Sequence, residues 1–301
     1  MSISISNLSK TYGSQRVLSN INFEIGQGEV VGFLGPNGAG KTTTMKILAG
    51  ALSYENGSVK ICGIEVKEDS IKTKSLIGYL PEQNPLYNDM YVKEYLLFVA
   101  DAYGLGKDKV QRVAELIDTV GLTSEFHKKI GQLSKGYRQR VGLAQALIPD
   151  PKVIILDEPT TGLDPNQLEE IRNLIRQLGK ERTVILSTHI MQEIKAICNR
   201  VIVINKGEIV ADYSDLSKIS SFETESFQLE VEFAEPVELS QFNELENIVV
   251  LKTISNTRFV LSASYDIRNE VFDFAVKSKN KILAMNTLER TMEEVFKNLT
   301  N

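Results

Sequence analysis

The first 215 residues alternate between short apolar runs and segments with helical periodicity. The apolar runs at 29–34, 75–80 and 153–156 are bounded by glycine, proline or charged residues, a pattern typical of buried strands. Apolar residues spaced three and four positions apart predict helices at 42–49 and 165–178. Because strands separated by helices of this length are joined by right-handed crossovers, the pattern predicts an α/β fold with a mixed, largely parallel sheet.

Two regions depart from this alternation. Residues 92–120 have helical periodicity throughout, which indicates a helical insertion at about 84–150. A polar, weakly patterned stretch at 214–225 predicts a linker. The segments beyond it predict a β-α-β-β-α-β unit followed by a terminal amphipathic helix, LERTMEEVFKNL. We therefore expect a first domain over 1–215 and a small α+β, ferredoxin-like domain over 222–301.

Composition excludes several classes of protein. The chain has 301 residues, of which 42% are hydrophobic and 24% charged, as in globular proteins and unlike collagen-like or low-complexity chains. Its net charge of −5 gives no global electrostatic reason to expect nucleic-acid binding. Cys62 and Cys198 lie far apart without metal-ligand spacing, so we expect free thiols and no zinc site. No apolar run approaches the ~18 residues that would predict a membrane span.

The segment GPNGAGKT, at residues 35–42, matches the phosphate-binding loop pattern and lies between a predicted strand and a predicted helix. Glycines allow backbone N–H groups to surround a β-phosphate, and the helix that follows presents its positive N-terminal end. In this pattern Lys41 reaches the β- and γ-phosphates, and the Thr42 hydroxyl can ligate Mg²⁺. The predicted nucleotide-binding residues of this loop are Gly35, Pro36, Asn37, Gly38, Ala39, Gly40, Lys41, Thr42 and Thr43.

A buried-strand run, VIIL, ends in Asp157 and Glu158. At a strand end beyond a phosphate loop, one carboxylate can hold the water shell of Mg²⁺ and the next can orient or deprotonate the attacking water. We assign these roles to Asp157 and Glu158 respectively. Guanine readout would need an Asn-Lys-x-Asp run, and residues 205–208 read NKGE, which we interpret as a hairpin turn.

Three further motifs resemble those of the ATP-binding cassette (ABC) family. LSKGYRQR at 133–140 resembles the family's signature, TTGLD at 160–164 its D-loop, and STH at 187–189 its switch histidine. Residues 1–215 resemble a complete ABC-type P-loop ATPase. The remainder resembles the small C-terminal domain of the ABC-2 exporter branch, and this tail with LSKGYRQR is most similar to the ATPases of gliding-motility exporters.

This resemblance implies roles for five residues. Tyr12, at the A-loop position, would stack on adenine. Ser134 and Gly136 would bind the γ-phosphate held by an opposite subunit, and Asp164 of the D-loop would belong to the same nucleotide interface. His189 would contact the γ-phosphate and the attacking water as a second catalytic residue beside Glu158.

The sequence also departs from the family pattern. Lys135 stands where the signature usually has glycine, and Tyr137 where it usually has glutamine. In the Q-loop region, counting back from Tyr91 puts Glu82 at the family's glutamine position, with Gln83 next to it. Glu82 is our first choice for approaching Mg²⁺ and the water, and Gln83 is the alternative.

The resemblance also implies partners. Two subunits would bind two ATP molecules head to tail, with Mg²⁺, because one chain cannot complete its own site. A homodimer is the simplest arrangement. The transport partner would be a separate polytopic permease of the ABC-2 type, docked near 84–90, which places the ATPase at the cytoplasmic face of the inner membrane. We expect no nucleic acid. The alternatives are an ABC ATPase that acts on ribosomes or nucleic acid and, less favoured, a phosphotransferase.

Overall fold

The computed structural model describes residues 1–67, 71–216, 227–245 and 248–288. These residues form two compact units, one over Met1–Leu216 and the other from residue 227 onwards. Residues 217–225 of the predicted linker lie outside the described part of the chain. Within that part, no helix is both long and apolar enough to cross a membrane.

The first unit has an α/β composition. Its strands are β1 (Ile3–Tyr12), β2 (Gln15–Ile25), β3 (Val30–Leu34), β4 (Asn56–Ile61), β5 (Ile64–Glu65), β6 (Ile77–Leu80), β7 (Val153–Asp157), β8 (Thr183–Thr188), β9 (Arg200–Asn205) and β10 (Glu208–Tyr213). Its α-helices are α1 (Lys41–Leu48), α2 (Ile71–Lys74), α3 (Val92–Ala102), α4 (Lys109–Thr119), α5 (Lys135–Leu147), α6 (Pro165–Gly179) and α7 (Met191–Ile197), with 3-10 turns at Gly106–Asp108 and Ile130–Gln132.

The central sheet of this unit has the order β10-β9-β3-β8-β7-β6 and is parallel from β9 to β6. Every residue of β3, β7 and β8 is buried, which explains why these strands read as continuous apolar runs. The edge strand β10 pairs antiparallel with β9 through the turn at Lys206 and Gly207, so the NKGE segment is the predicted hairpin. The predicted α/β fold with a mixed sheet is confirmed.

A smaller antiparallel sheet, of order β2-β1-β4-β5, shares a hydrophobic core with one face of the central sheet and with α1. Ile3, Ile5 and Leu8 of β1 are buried in this core. The strand continues to Tyr12, which is 46% exposed. The antiparallel sheet therefore carries an aromatic side chain from the core out to the surface.

The helices α3, α4 and α5 form the helical insertion. The Tyr95 hydroxyl on α3 donates to Gln145 Oε1 on α5 at 2.5 Å, and Arg112 on α4 donates to the Leu147 carbonyl at 2.7 Å. The helix α5 begins after Ser134, whose hydroxyl accepts from the Tyr137 N–H. These contacts set the position of the helix start that bears the signature-like motif.

The second unit is an antiparallel sheet with one helix. Its elements are β11 (Phe227–Phe233), β12 (Val249–Thr253), β13 (Arg258–Ala263), α8 (Arg268–Lys277) and β14 (Ile282–Leu288), with the sheet order β12-β13-β11-β14. Phe233, Phe242, Phe259 and Phe274 pack in its core.

The connection between β11 and β12 differs from the predicted α-helix. It is a 3-10 helix, Leu239–Glu244, in which the Glu238 N–H donates to Gln241 Oε1. This segment inserts Phe242 into the core within six residues, too short a run for an amphipathic α-helical face. Residues 289–299 of the predicted terminal helix lie outside the described residues.

Candidate functional site

A cleft of about 560 Å³ opens at the carboxyl edge of the central sheet. The ends of β3, β7 and β8 meet there, because Leu34 pairs with Thr188 and Asp157 with Ser187. The residues that line the cleft are Tyr12, Gln15, Val17, Asn37, Gly38, Gly40, Lys41, Thr42, Thr43, Glu82, Glu158, Thr161 and His189.

The loop after β3 forms an open backbone cradle. Gly38 and Gly40 have φ angles of +80° and +107°, which residues with a β-carbon rarely adopt. A β-carbon on Gly40 would lie 2.6 Å from Leu18 Cδ2, whereas one on Gly38 would point into open space. The helix α1 starts directly after Gly40 without a side-chain cap, so its first N–H groups are available to an anion. This is the arrangement that phosphate binding requires.

Lys41 is buried at the bottom of this cradle. Its Nζ donates to the carbonyls of Gly35 and Pro36, at 2.9 and 3.3 Å, and lies 3.4 Å from Glu158 Oε1. The next residue, Thr42, donates its hydroxyl proton to Asp157 Oδ1 at 3.2 Å. The loop and the strand-end carboxylates therefore form one bonded network.

Asp157 is fully buried at the end of β7. Its Oδ1 accepts from Ser187 Oγ at 2.5 Å as well as from Thr42, but its Oδ2 has no hydrogen-bond partner among the residues described. Burial raises the pKa of this carboxyl, against the effect of the two hydroxyl donors, and the charges of Glu82 and Glu158 raise it further. A hydrated cation near Oδ2 would supply a hydrogen-bond donor to that oxygen and offset the crowding of negative charge.

These residues fit Mg²⁺ rather than a metal held by a full set of protein ligands. The described residues contain no cluster of three or more His, Cys, Asp or Glu side chains suited to a metal ion. Mg²⁺ commonly binds through one or two carboxylates, retains water, and takes other ligands from substrate phosphates. Thr42 and Asp157, next to a phosphate cradle, offer that donor set.

Glu158 is held from several sides in a strained backbone conformation. Its φ of +49° is uncommon for a non-glycine residue, and its N–H donates to Ser187. His189 Nδ1 lies 3.0 and 3.1 Å from the two carboxylate oxygens, and the Thr161 hydroxyl donates to Oε2. The side chain of Glu158 is 7% exposed and that of His189 42%, so the pair is open to the cleft through the histidine.

Two residues lie at the sides of the cleft. Tyr12 presents its ring there, with Lys10 Nζ 5.5 Å from the ring centroid. Glu82 lines the cleft and Gln83 is absent from the described residues that line it. The geometry therefore favours Glu82 over Gln83 as the residue that faces the phosphate loop.

Comparison with known proteins agrees with this geometry. The ABC transporter family matches residues 18–161. The chain is 34% identical to YhcH of Bacillus subtilis, an uncharacterized ABC transporter ATP-binding protein, over 99% of this chain and 95% of that protein. It is 38% identical to the bacitracin transport ATP-binding protein BcrA of Bacillus licheniformis, over 70% of this chain and 69% of that protein. The chain belongs to the ABC transporter family.

A solved structure extends the comparison. A dimeric ATP-binding cassette in a post-hydrolysis state, bound to ADP and Pi, is 28% identical, with a TM-score of 0.63 over 70% of this chain and 97% of that chain. This protein is accordingly an ABC ATPase, which binds ATP and hydrolyses it to drive transport. ABC cassettes dimerise and pair with a transmembrane permease.

The signature region of this ABC ATPase lies apart from the cleft. Ser134, Gly136 and Asp164 are absent from the described residues that line it. Ser134 is exposed, and its hydroxyl accepts from Gln167 Nε2 at 3.4 Å. Asp164 caps α6 by accepting from the Gln167 N–H. One glutamine thus links the signature serine to the D-loop within the chain.

Several residues of the site were not predicted. Gln15, Val17 and Thr161 line the cleft. Gln15 and Val17 come from β2 in the other sheet, and no local sequence pattern marks these two residues. Glu193 is 1% exposed on α7 and accepts from the Thr160 and Thr188 hydroxyls. Its signal in the sequence is a carboxylate within a short helix whose other buried residues are apolar.

Glu193 connects two loops of the site through its carboxylate. Thr160 lies two residues after Glu158, and Thr188 directly precedes His189. Because one oxygen of the Glu193 carboxylate bonds to each threonine, Glu193 connects the two loops that carry Glu158 and His189. The other histidine, His127, is exposed and packs edge-on against Phe126, as expected for a surface residue.

Proposed function

We propose that this protein is the ATPase subunit of an ABC-2 type membrane exporter and works as a head-to-tail dimer with ATP and Mg²⁺ at each site. One observation carries the proposal. The phosphate loop, Glu158 and His189 line one cleft, and Asp157 bonds to that loop through Thr42. The exposed Ser134 of the signature is absent from the described residues that line the cleft. A single chain therefore offers two incomplete halves of a site.

Within the cleft half, each residue has a separate task. The loop N–H groups and Lys41 bind the β- and γ-phosphates, and Tyr12 stacks on the adenine. Thr42 and Asp157 would hold Mg²⁺, with Glu82 nearby, and the bound metal would neutralise charge on the phosphates. Glu158 orients or deprotonates the attacking water, and His189, 3.0 Å from the Glu158 carboxylate, keeps that group directed at the γ-phosphate.

The signature half acts on the nucleotide of the opposite subunit. Ser134 offers a hydroxyl, and the start of α5 offers backbone N–H groups and a positive helix end. The γ-phosphate is thus bound by both subunits and favours the closed dimer. Hydrolysis removes that shared contact and lets the dimer open.

The permease docks on the helical insertion. A groove of about 740 Å³ is lined by Asn84, Pro85, Leu86, Asn88, Gly131 and Arg138. Beside it, Tyr87 and Phe98 are 56% and 51% exposed, and their rings lie 6.0 Å apart. Exposed aromatic pairs next to a polar groove are typical of protein interfaces. Docking there would hold the ATPase at the cytoplasmic face of the membrane.

The second unit supports the ABC-2 branch within this proposal. Its sheet order, β12-β13-β11-β14, supports a ferredoxin-like assignment, with a 3-10 helix in place of the first α-helix. The similarity to the bacitracin transport protein supports an exporter. A role in gliding motility rests on the resemblance of LSKGYRQR and the tail alone, so we leave the exported substrate open.

Co-purification tests the proposal. The full chain, tagged and extracted from gently solubilised membranes, is expected to recover a polytopic membrane protein. Substitution of Tyr87→Asp with Phe98→Asp should abolish recovery and preserve ATP hydrolysis in the purified ATPase. Val110→Asp, on a side chain of similar exposure (55%) on α4, is the matched control and should leave recovery unchanged. Recovery of ribosomes or nucleic acid instead of a membrane protein would show that the exporter assignment is wrong.

A further inference from the structure

Tyr79 lies on β6, next to the strand that carries the metal-binding aspartate. In the parallel pairing of β6 and β7, Tyr79 is opposite Ile155, two residues before Asp157. Side chains two residues apart on a strand point to the same face, and so do directly paired neighbours. Tyr79 and Asp157 therefore share one face of the sheet, and the Tyr79 ring packs against the core that includes Ile155.

Both residues carry a buried polar atom without a partner. Among the described residues, the Tyr79 hydroxyl oxygen and Asp157 Oδ2 are two of only four buried side-chain polar atoms that make no hydrogen bond. Buried polar groups are almost always paired with protein or ordered water. Ordered water or an ion that binds on this face of the sheet would give both atoms a partner.

The charges around Tyr79 indicate which kind of group its hydroxyl would bind. Burial, together with the carboxylates of Asp157 and Glu82, holds the pKa of Tyr79 above its usual value. The tyrosine is therefore a neutral hydroxyl, which can accept one hydrogen bond without adding negative charge. Water bound to a divalent cation is polarised and has two protons to donate.

We propose that Tyr79 is a positioning residue for the hydrated metal, with its hydroxyl accepting a hydrogen bond from a metal-bound water that also donates to Asp157 Oδ2. This inference rests on the proposed function, which places Mg²⁺ beside Thr42 and Asp157. The hydroxyl fixes the orientation of the water and, through it, of the metal. It does not touch the nucleotide.

The test is calorimetric titration of ATP in the presence of Mg²⁺ and in EDTA, using the full chain with Glu158→Gln to slow hydrolysis. In this background, adding Tyr79→Phe should reduce the Mg²⁺-dependent gain in ATP affinity by about fivefold, the typical worth of one hydrogen bond. Affinity in EDTA should stay within about twofold. The melting temperature without nucleotide should be unchanged or higher, since no hydrogen bond within the protein is lost.

Tyr95→Phe is the matched control. It removes a hydroxyl that donates to Gln145, so it should lower the melting temperature and leave the Mg²⁺-dependent gain intact. Three results for Tyr79→Phe would overturn the inference: an undiminished Mg²⁺-dependent gain, an equal loss of affinity in EDTA, or failure to fold. A background protein without any Mg²⁺-dependent gain, or Asp157→Asn with a full gain, would instead contradict the metal site of the proposed function.

Discussion

The cleft and the signature region differ in how many contacts and hydrogen bonds their functional side chains make within the chain. Lys41 and Glu158 are buried, and each contacts several groups of the same chain. Ser134 is exposed, and its hydroxyl makes two long hydrogen bonds, both of 3.4 Å, with the Tyr137 N–H and Gln167. Preorganised charges stabilise a transition state more strongly where water is excluded. The groups of the cleft are therefore held in place by their own chain, whereas the Ser134 hydroxyl is accessible to another molecule.

The greatest loss of activity is expected from a change at Glu158, which should greatly slow hydrolysis of ATP without abolishing its binding. Glu158→Gln should lower ATP hydrolysis by ~10²- to 10⁴-fold, because the amide cannot take the proton of the attacking water. ATP binding should persist, and the variant should accumulate as an ATP-bound dimer. Phosphate release and size-exclusion chromatography with ATP measure the two effects.

Glu181→Gln is a suitable control for that variant, since Glu181 is exposed and lies outside the described cleft-lining residues. Hydrolysis at the wild-type rate, together with a monomer in the presence of ATP, would show that the assignment of Glu158 is wrong.

A mixing experiment tests whether the cleft half and the signature half of one site come from different chains. Lys41→Ala disables the cleft half and Ser134→Arg the signature half, so each variant alone should lose ~10²-fold in hydrolysis. In an equimolar mixture, a mixed dimer contains one site in which both halves are intact. The mixture should hydrolyse ATP well above either variant alone, in a steady-state phosphate assay.

If both halves of a site came from one chain, mixing would restore nothing. A mixture of Lys41→Ala with Glu158→Gln provides the control, because both changes lie in the cleft half and every dimer site would remain defective.

We expect the smallest loss of activity when Glu193, which connects the loops that carry Glu158 and His189, is changed. Glu193→Gln replaces one carboxylate oxygen by an amide that must face a threonine hydroxyl. We expect a loss of about 1.5–3 kcal/mol in the free energy of unfolding, since bonds to a charged acceptor are being weakened. The kcat should fall several-fold with little change in KM for ATP, since no cleft-lining atom is altered.

Denaturant unfolding and steady-state kinetics measure these changes. Glu208→Gln, on the exposed start of β10, should change neither quantity. A larger effect on KM than on kcat would mean that Glu193 acts on nucleotide binding rather than on the catalytic pair.

Some groups around the cleft are encoded by local sequence, and others come together only on folding. The phosphate loop and Asp157-Glu158 are contiguous motifs placed next to apolar strands, so their neighbourhood could be predicted from local pattern. Tyr79 shares a sheet face with Asp157 only because β6 pairs with β7, and Glu193 bonds to Thr160 only because α7 packs near the loop that follows β7. No spacing along the chain encodes those contacts. The preference for Glu82 over Gln83 likewise depended on which side chain faces the cleft.

By itself, the sequence determined the α/β class, the phosphate loop and the pair of acids, because hydrophobic periodicity and motif spacing act over a few residues. Tertiary structure alone decided which distant groups meet, because burial and hydrogen bonding depend on how sheets and helices pack. It left Asp157 Oδ2 and the Tyr79 hydroxyl without partners on one face of the sheet, and it left Ser134 outside the cleft. The first arrangement follows from strand register, and the second from the hydrogen bonds that join α5 and its cap to α3, α4 and α6.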